Sequence, residues 1–235
     1  MSLIVENLAK TKQRLAKAAQ KSGRDVADIK LVTVSKNKSV ADILAAYDAG
    51  QLCFGENYAQ EFRDKHRELY TLGAVRRAPH DIEWHFIGHL QRNKVKYVAP
   101  FVSWVQTIDS LELAYEINKR ASQPINCLLE VNLAIEASKT GIAPDRISEL
   151  VQGLVNLANI KLKGLMIIPP YVLDPEASRP YFKKLRQILA QINAQNIYPQ
   201  KLAELSMGMS HDFEVAIEEG ATIVRVGTAI FGERK

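Results

Sequence analysis

The stretch "IKLVTVSKNKSVADILAAYDAG", residues 29–50, contains the two patterns that decide the fold. Its first part is an apolar, β-branched run, which is typical of a buried strand. Its second part spaces apolar residues as on one face of a helix and ends at a glycine. A buried strand followed at once by a helix is the unit from which parallel α/β sheets are built.

The same order of strand and helix recurs along the 235 residues. The strand-like runs are 29–35, 52–55, 82–88, 104–109, 125–132, 160–167, 204–210 and 222–232. Eight such units in a chain of this length predict an α/β fold, a single TIM-type (β/α)8 barrel. The alternative is an open doubly wound sheet, but no G-x-G-x-x-G follows the first strand.

An additional amphipathic helix is predicted ahead of the first strand. Its apolar residues recur at helical spacing between Lys and Arg, and Gly23 follows as a stop signal. These apolar residues are Leu3, Ile4, Leu8, Leu15, Ala18 and Ala19. Because no linker, low-complexity tract or change in composition interrupts the chain, we expect residues 1–235 to form one domain.

Charge and cysteine content narrow the class of protein. The net charge of +5 is mild and spread along the chain, so nucleic acid is not indicated, whereas a small acidic ligand such as a phosphate ester is compatible. Cys53 and Cys127 lie in apolar runs, as reduced core cysteines of a cytosolic protein do. With no secretion signal and no run of roughly 20 apolar residues, a cytoplasmic protein without a membrane span is expected.

Lys36 is the first candidate functional residue, because sites in such barrels lie just beyond the C-terminal ends of strands. Strand alternation puts Lys36 on the face of Val32 and Val34, against the core. Partial desolvation lowers the pKa of a lysine and makes its amine a nucleophile towards carbonyls. Lys38 is an alternative amine, and a lysine that merely extends into solvent from a strand end is the plain structural alternative.

The loops after the seventh and eighth strands predict an anion site. Ser206 and Ser210 precede a helix N-terminus, whose free N–H groups and dipole favour negative charge. Gly227 and Thr228 follow the eighth strand, where a glycine lets an oxyanion approach the backbone. These two loops hold phosphate in phosphate-binding barrels. Asp212 would repel a phosphate unless its carboxylate turns aside.

Other polar residues near strand ends are weaker candidates. Asn57 and Gln91 can either hydrogen-bond a ligand or cap loops. His85 and His89 suggest a metal pair, but four residues of strand span roughly 13 Å, so no metal site is expected. A lysine that forms a Schiff base, opposite a phosphate cradle, requires a ligand with a carbonyl and a phosphate, such as pyridoxal 5'-phosphate (PLP) or a phosphorylated sugar.

Five segments at the strand ends carry a family resemblance. They are "VSK" (34–36), "FGENYAQE" (54–61), "WHFIGHLQRNK" (84–94), "SMGMSHD" (206–212) and "VRVGTAIFG" (224–232). In this order they resemble the PLP homeostasis protein family, also called YggS or PROSC. The resemblance implies a barrel similar to the N-terminal domain of alanine racemase, with PLP held as an internal aldimine on Lys36.

The resemblance also implies roles for other residues. It implies that Ser206 and Ser210, with the backbone of Gly227 and Thr228, hold the phosphate. Arg225 then faces the pyridine nitrogen. It further implies that Asn57 lies near the 3-hydroxyl group.

The expected function is to hold and manage PLP in vitamin B6 and amino-acid balance, without an established catalytic activity. Alanine racemases add a β-domain that supplies a second base, and this chain ends at Lys235, before such a domain. A monomer that transiently meets PLP-requiring apoenzymes is expected. The alternatives are a PLP-dependent racemase or lyase and, without PLP, a barrel that forms a Schiff base with a phosphosugar.

Overall fold

Eight parallel strands close into a barrel in the computed structural model, which describes residues 2–71, 82–133 and 140–233. Neighbours pair in chain order, and the last strand pairs with the first. The strands are β1 (Lys30–Val34), β2 (Cys53–Glu56), β3 (Glu83–Phe86), β4 (Trp104–Ile108), β5 (Ile125–Glu130), β6 (Ile160–Met166), β7 (Glu204–Ser206) and β8 (Ile223–Val226). The closed parallel barrel confirms the predicted fold class and rules out the open sheet.

Helices connect the strands and cover the outside of the barrel. The α-helices of the described residues are α1 (Leu3–Lys21), α2 (Val40–Asp48), α3 (Ala59–Thr71), α4 (Leu111–Arg120), α5 (Ile147–Leu154), α6 (Arg179–Ala194), α7 (Phe213–Glu218) and α8 (Thr228–Phe231). Short 3-10 helices lie at Val26–Asp28, Arg92–Tyr97, Pro144–Arg146 and Pro175–Ser178. None of the helices in this part of the chain has the length and apolar character needed to cross a membrane.

Helix α1 is the predicted additional helix before β1. Its buried residues are Leu8, Thr11, Leu15, Ala18 and Ala19. They recur at helical spacing, and the helix packs against α7 and α8. Leu3 departs from the prediction, because it lies in the first turn and is 66% exposed.

The connection after β3 differs from the helix that the sequence predicts there. A 3-10 helix, Arg92–Tyr97, replaces an α-helix. Its buried residue Val95 is followed three residues later by Val98, which is also fully buried, and the Val98 amide donates to the Val95 carbonyl. Apolar residues three apart lie on one side of a 3-10 helix, so this local spacing fits the tighter form.

The two faces of the strands bury different chemistry. On β3, Trp84 faces outward and contacts Phe54 and Phe62, whereas His85 faces inward and stacks on Trp104. The apolar interior consists of Val32, Trp104, Leu128, Met166 and Ile223, with Cys53 at its edge. Polar residues share this interior, and they lead towards the C-terminal ends of the strands.

Candidate functional site

Lys36 lies in a tight turn just beyond β1. The turn is closed by the amide of Lys38, which donates to the carbonyl of Ser35 over 3.0 Å, and Asn37 takes a left-handed backbone conformation with φ of 59°. Lys36 is half-buried. The Nζ of Lys38 turns instead towards the C-terminal end of α8, where it donates to the carbonyl of Phe231 over 3.3 Å. The structure therefore separates two lysines that strand parity alone could not.

A buried ionic network from β2 and α3 holds this turn on both sides of Lys36. The Nζ of Lys65 donates to the Ser35 carbonyl and to Oε1 of Glu56, each over 2.7 Å. The ammonium of Lys65 also pairs with Glu61 at 2.6 Å, and Oε1 of Glu61 accepts from the Asn37 amide over 2.6 Å. Ion pairs and hydrogen bonds thus fix the backbone that carries Lys36.

Ser210 joins the loops that follow β7 and β8. Its Oγ accepts from the amides of Gly227 and Ala229, each over 3.3 Å. A Cβ at Gly227 would lie 3.3 Å from both Cβ and O of Val34, so only a glycine lets these two segments of backbone approach this closely without adjustment. Thr228 begins α8 beside these groups. Backbone amides that converge on a hydroxyl in this way suit a phosphate.

Ser206 lies apart from this cradle. It is the last residue of β7 and is fully buried inside the barrel. Its Oγ accepts from Nη1 of Arg225 over 2.6 Å and donates to Oε1 of Gln106 over 2.6 Å. Because the strand ends four residues earlier than the sequence predicts, Ser206 and Ser210 face different surroundings. The geometry favours contact of Ser206 with Arg225 over the predicted phosphate contact.

Arg225 is a buried cation at the base of the mouth formed by the C-terminal strand ends. It is 3% exposed, and its Nη2 donates to the carbonyl of Ile167 over 2.8 Å. Burial lowers the pKa of Arg225 to about 10, against the opposing influence of Asp212 and Glu130. The guanidinium is therefore charged at neutral pH. The carboxylate of Asp212 accepts from the Met209 amide within its own loop, over 2.8 Å.

Asn57 offers an acceptor beside the turn of Lys36. Its Oδ1 is buried and has no hydrogen-bond partner within residues 2–71, 82–133 and 140–233. A Cβ at Gly88 would lie 2.2 Å from the Asn57 carbonyl oxygen, so Gly88 packs directly on this backbone. A buried acceptor without a partner is costly, and a ligand hydroxyl at this point would satisfy it. The donors and acceptors of the mouth therefore fit the phosphate and hydroxyl groups of PLP.

His85 and His89 lie in different surroundings. His85 is buried between Glu83 and Gln106, whereas His89 is half-exposed and lies 3.7 Å from Asp109. A different group, Cys53 with Glu83 and His85, has candidate ligand atoms within 4.8 Å of one another. This group lies at the N-terminal rim of the barrel, away from Lys36. Gln91 is exposed at the start of its 3-10 helix, without a side-chain cap.

Comparison with known proteins identifies relatives along the whole chain. The family model for the alanine racemase N-terminal domain matches residues 6–235. A pyridoxal phosphate homeostasis protein of Aquifex aeolicus is 46% identical over 233 residues, which are 98% of each chain. The chain belongs to the PLP homeostasis protein family. Its membership confirms the resemblance carried by the five segments at the strand ends.

Solved structures agree with this assignment to the PLP homeostasis protein family. PipY of Synechococcus elongatus with PLP bound is 33% identical and superimposes with a TM-score of 0.81, covering 97% of this chain and 100% of PipY. Alanine racemase of Corynebacterium glutamicum is 14% identical, with a TM-score of 0.67 over 98% of this chain and 62% of the racemase. At that identity the racemase shows a common fold.

Glu130 also lies at the mouth of the barrel, and the sequence analysis did not predict it as a site residue. It ends β5, is 5% exposed, and accepts from Oγ1 of Thr140 over 2.9 Å through Oε1. Its Oε2 is buried, and no described residue hydrogen-bonds it. Burial raises the pKa of Glu130, and Asp109 raises it further. A carboxyl group within an apolar strand run was the available signal, the same signal that marked Lys36.

Proposed function

We propose that this chain binds PLP in the mouth at the C-terminal ends of its strands, as a Schiff base with Lys36, and serves PLP homeostasis. The observation that carries the proposal is the link from the Ser210 hydroxyl to the amides of Gly227 and Ala229, directly after the strand that bears Arg225. A full-length relative is named for PLP homeostasis, and PipY has been solved with PLP. Both support the proposal.

Different residues of the mouth would bind different groups of PLP. The amides near Ser210 would hold the phosphate, together with Thr228, and Oδ1 of Asn57 would accept from the 3-hydroxyl group. The turn held by Lys65 would present the Lys36 amine to the aldehyde. These contacts would position PLP for imine formation, in which the aldehyde oxygen leaves as water.

Arg225 favours retention of the cofactor over chemistry on it. When bound, PLP supplies a carbonyl and a ring that draws electrons from an attached carbon. A guanidinium carries only donors and stays charged at neutral pH, so Arg225 would keep the ring nitrogen unprotonated. An unprotonated ring draws electrons less strongly, and we therefore propose storage and delivery of PLP inside the cell, by a monomer that meets apoenzymes transiently.

Transfer of PLP to an apoenzyme tests this function. Protein loaded with PLP is mixed with a PLP-requiring apoenzyme, and recovered activity is followed in the presence of excess semicarbazide, which traps the aldehyde of free PLP as a semicarbazone. Loaded wild type is expected to restore activity faster than an equal amount of free PLP, whereas the Lys36→Ala protein gives no such advantage. Equal rates for wild type and Lys36→Ala would contradict delivery.

A second candidate function is amino-acid racemisation or lysis, and Glu130 is the observation that favours it. A buried carboxyl with a raised pKa is suited to proton transfer near neutral pH. Exchange of the α-proton of L- and D-alanine in heavy water distinguishes the two functions. We expect no exchange above that of free PLP. Exchange that is abolished by Glu130→Gln would establish the enzymatic alternative.

A further inference from the structure

A continuous line of hydrogen bonds runs through the barrel interior behind Arg225. Nη1 of Arg225 donates to Ser206, and the Ser206 hydroxyl donates to Oε1 of Gln106, each over 2.6 Å. Nε2 of Gln106 lies 2.7 Å from Nδ1 of His85, and Nε2 of His85 lies 2.8 Å from Oε1 of Glu83. The line joins four strands, from the N-terminal rim to the mouth.

The donors and acceptors allow one consistent direction along this line. A guanidinium can only donate, so the Ser206 oxygen accepts and its proton points to Gln106. The Gln106 amide then donates to Nδ1 of His85. His85 must therefore be neutral with its proton on Nε2, which donates to Glu83.

The N-terminal end of the line favours the same state of His85. Burial by itself would raise the pKa of Glu83, but hydrogen bonds from His85 and Lys30 outweigh it and lower the pKa to about 2. Glu83 is thus an ionised acceptor, and burial lowers the pKa of His85. Burial raises the pKa of the neighbouring Cys53 to about 11, so its thiol is neutral.

Burying these polar groups is costly compared with an apolar interior of the same volume. Ser206 and Gln106 are fully buried, and His85 is 1% exposed. An apolar side chain at each position would fill the same space without desolvating amide, hydroxyl and imidazole groups. Each side chain of the line is hydrogen-bonded to the next, and such a network rigidifies what it holds. What it holds at its end is the guanidinium of Arg225.

We propose that Gln106 and His85 are positioning residues, which act through Ser206 to fix the rotation of Arg225 towards the pyridine nitrogen of PLP. The proposal rests on the proposed function only for the identity of the ligand ring. The direction of the hydrogen bonds and the orientation of Arg225 belong to the chain itself.

Nitrogen-15 NMR of the histidine rings in ligand-free wild type tests the direction. Comparison with His85→Asn assigns the ring signals. At pH values within about one unit of neutrality, His85 is expected to be neutral with its proton on Nε2. A ring protonated on Nδ1, or on both nitrogens, at pH 7 would overturn the proposal, whether or not PLP binds.

PLP release from two buried-glutamine variants tests the positioning. Gln106→Leu removes the central link, whereas Gln51→Leu is the matched control, because Gln51 is 4% exposed and its Nε2 donates to the carbonyls of Leu31 and Cys53, which are not part of the line. Gln106→Leu is expected to release PLP roughly tenfold faster and to shift the bound absorption band. Gln51→Leu should leave both unchanged.

The outcomes separate the two proposals. Equal release rates and spectra for folded Gln106→Leu and Gln51→Leu would overturn the positioning role. Loss of all PLP binding from wild type would defeat the proposed function instead, and the histidine tautomer would still decide the direction of the line. Gln106→Glu is an additional check, since its carboxylate accepts from Nδ1 of His85 and should yield a doubly protonated ring.

Discussion

The two ends of the barrel treat their polar groups differently. At the N-terminal rim, the ammonium of Lys30 binds Glu83 and lies 4.9 Å from the centre of the Trp104 ring. At the C-terminal mouth, Oδ1 of Asn57 and Oε2 of Glu130 are buried and have no hydrogen-bond partner among the residues that the structure describes. At the rim Glu83 is bound by Lys30 and His85, whereas these two acceptors of the mouth are open to a ligand. In barrels of this type, stability belongs to the N-terminal face and function to the C-terminal face.

The largest expected effect concerns the ammonium groups at the two ends. Lys65→Met leaves Glu56 buried and without its ion pair, so the free energy of unfolding should fall by about 3–5 kcal/mol. Lys30→Met removes a partly exposed pair and should cost at most about 1 kcal/mol. Urea unfolding of both variants measures the difference. Equal losses of unfolding free energy in the two variants would contradict the difference between mouth and rim.

A double variant sharpens this result. Glu56→Gln with Lys65→Met removes the buried charge along with its partner, and it should regain much of the stability that Lys65→Met loses. The same denaturation measurement applies. No recovery in the double variant would mean that the unpaired carboxylate of Glu56 is not the source of the loss.

A smaller effect is expected at the phosphate cradle. Ser210→Ala removes the hydroxyl between the Gly227 and Ala229 amides, and PLP affinity should fall roughly tenfold. Equilibrium binding followed by absorbance measures it. Ser148→Ala is the control, because the Ser148 hydroxyl donates to Gln195 on the surface. A matching loss in both variants would place the phosphate elsewhere.

The smallest effects concern two carboxyl groups whose pKa values move in opposite directions. The pKa of Glu83 at the rim falls to about 2, so its stabilising contribution is complete above pH 4.5 and is lost as the pH falls towards 2. The pKa of Glu130 at the mouth is raised, so its ionisation opposes folding as the pH rises above 4.5.

Stability measured against pH for two variants checks both signs. Glu83→Gln should flatten the loss of stability between pH 4.5 and 2. Glu130→Gln should instead increase stability at neutral pH, because it removes the cost of ionising a buried carboxyl. The same sign for both substitutions at pH 7 would contradict the contrast between rim and mouth.

The barrel was predictable because its signal is local and repeated. Each strand and helix shows its own periodicity, and eight repeats leave few topologies. The connection at Arg92–Tyr97 was not predictable as a 3-10 helix, since short segments carry too few turns to separate the two helical periods. The local sequence pattern also could not predict that β7 ends at Ser206.

The candidate site was predictable in part for a related reason. Lys36, Ser210 and Arg225 lie at or near the C-terminal ends of strands, where the sites of such barrels are found. The bond from Ser206 to Gln106 joins residues 100 positions apart, so it follows only from closure of the barrel. The last residue of β7 decides what each hydroxyl near it contacts: Ser206 ends the strand and bonds Gln106 and Arg225, whereas Ser210, in the loop beyond, bonds the amides of Gly227 and Ala229.

Reductive trapping tests the central claim, the bond between Lys36 and PLP, most directly. Wild type, Lys36→Ala and Lys38→Ala are incubated with PLP and borohydride, and the modified lysine is located by peptide mapping. Lys38 is the control, because its Nζ is engaged by the carbonyls of Phe231 and Gly232. We predict one pyridoxyl group on Lys36 in wild type and Lys38→Ala, and none in the mouth of Lys36→Ala. Trapping on Lys38 in wild type, with Lys36 unmodified, would contradict the account.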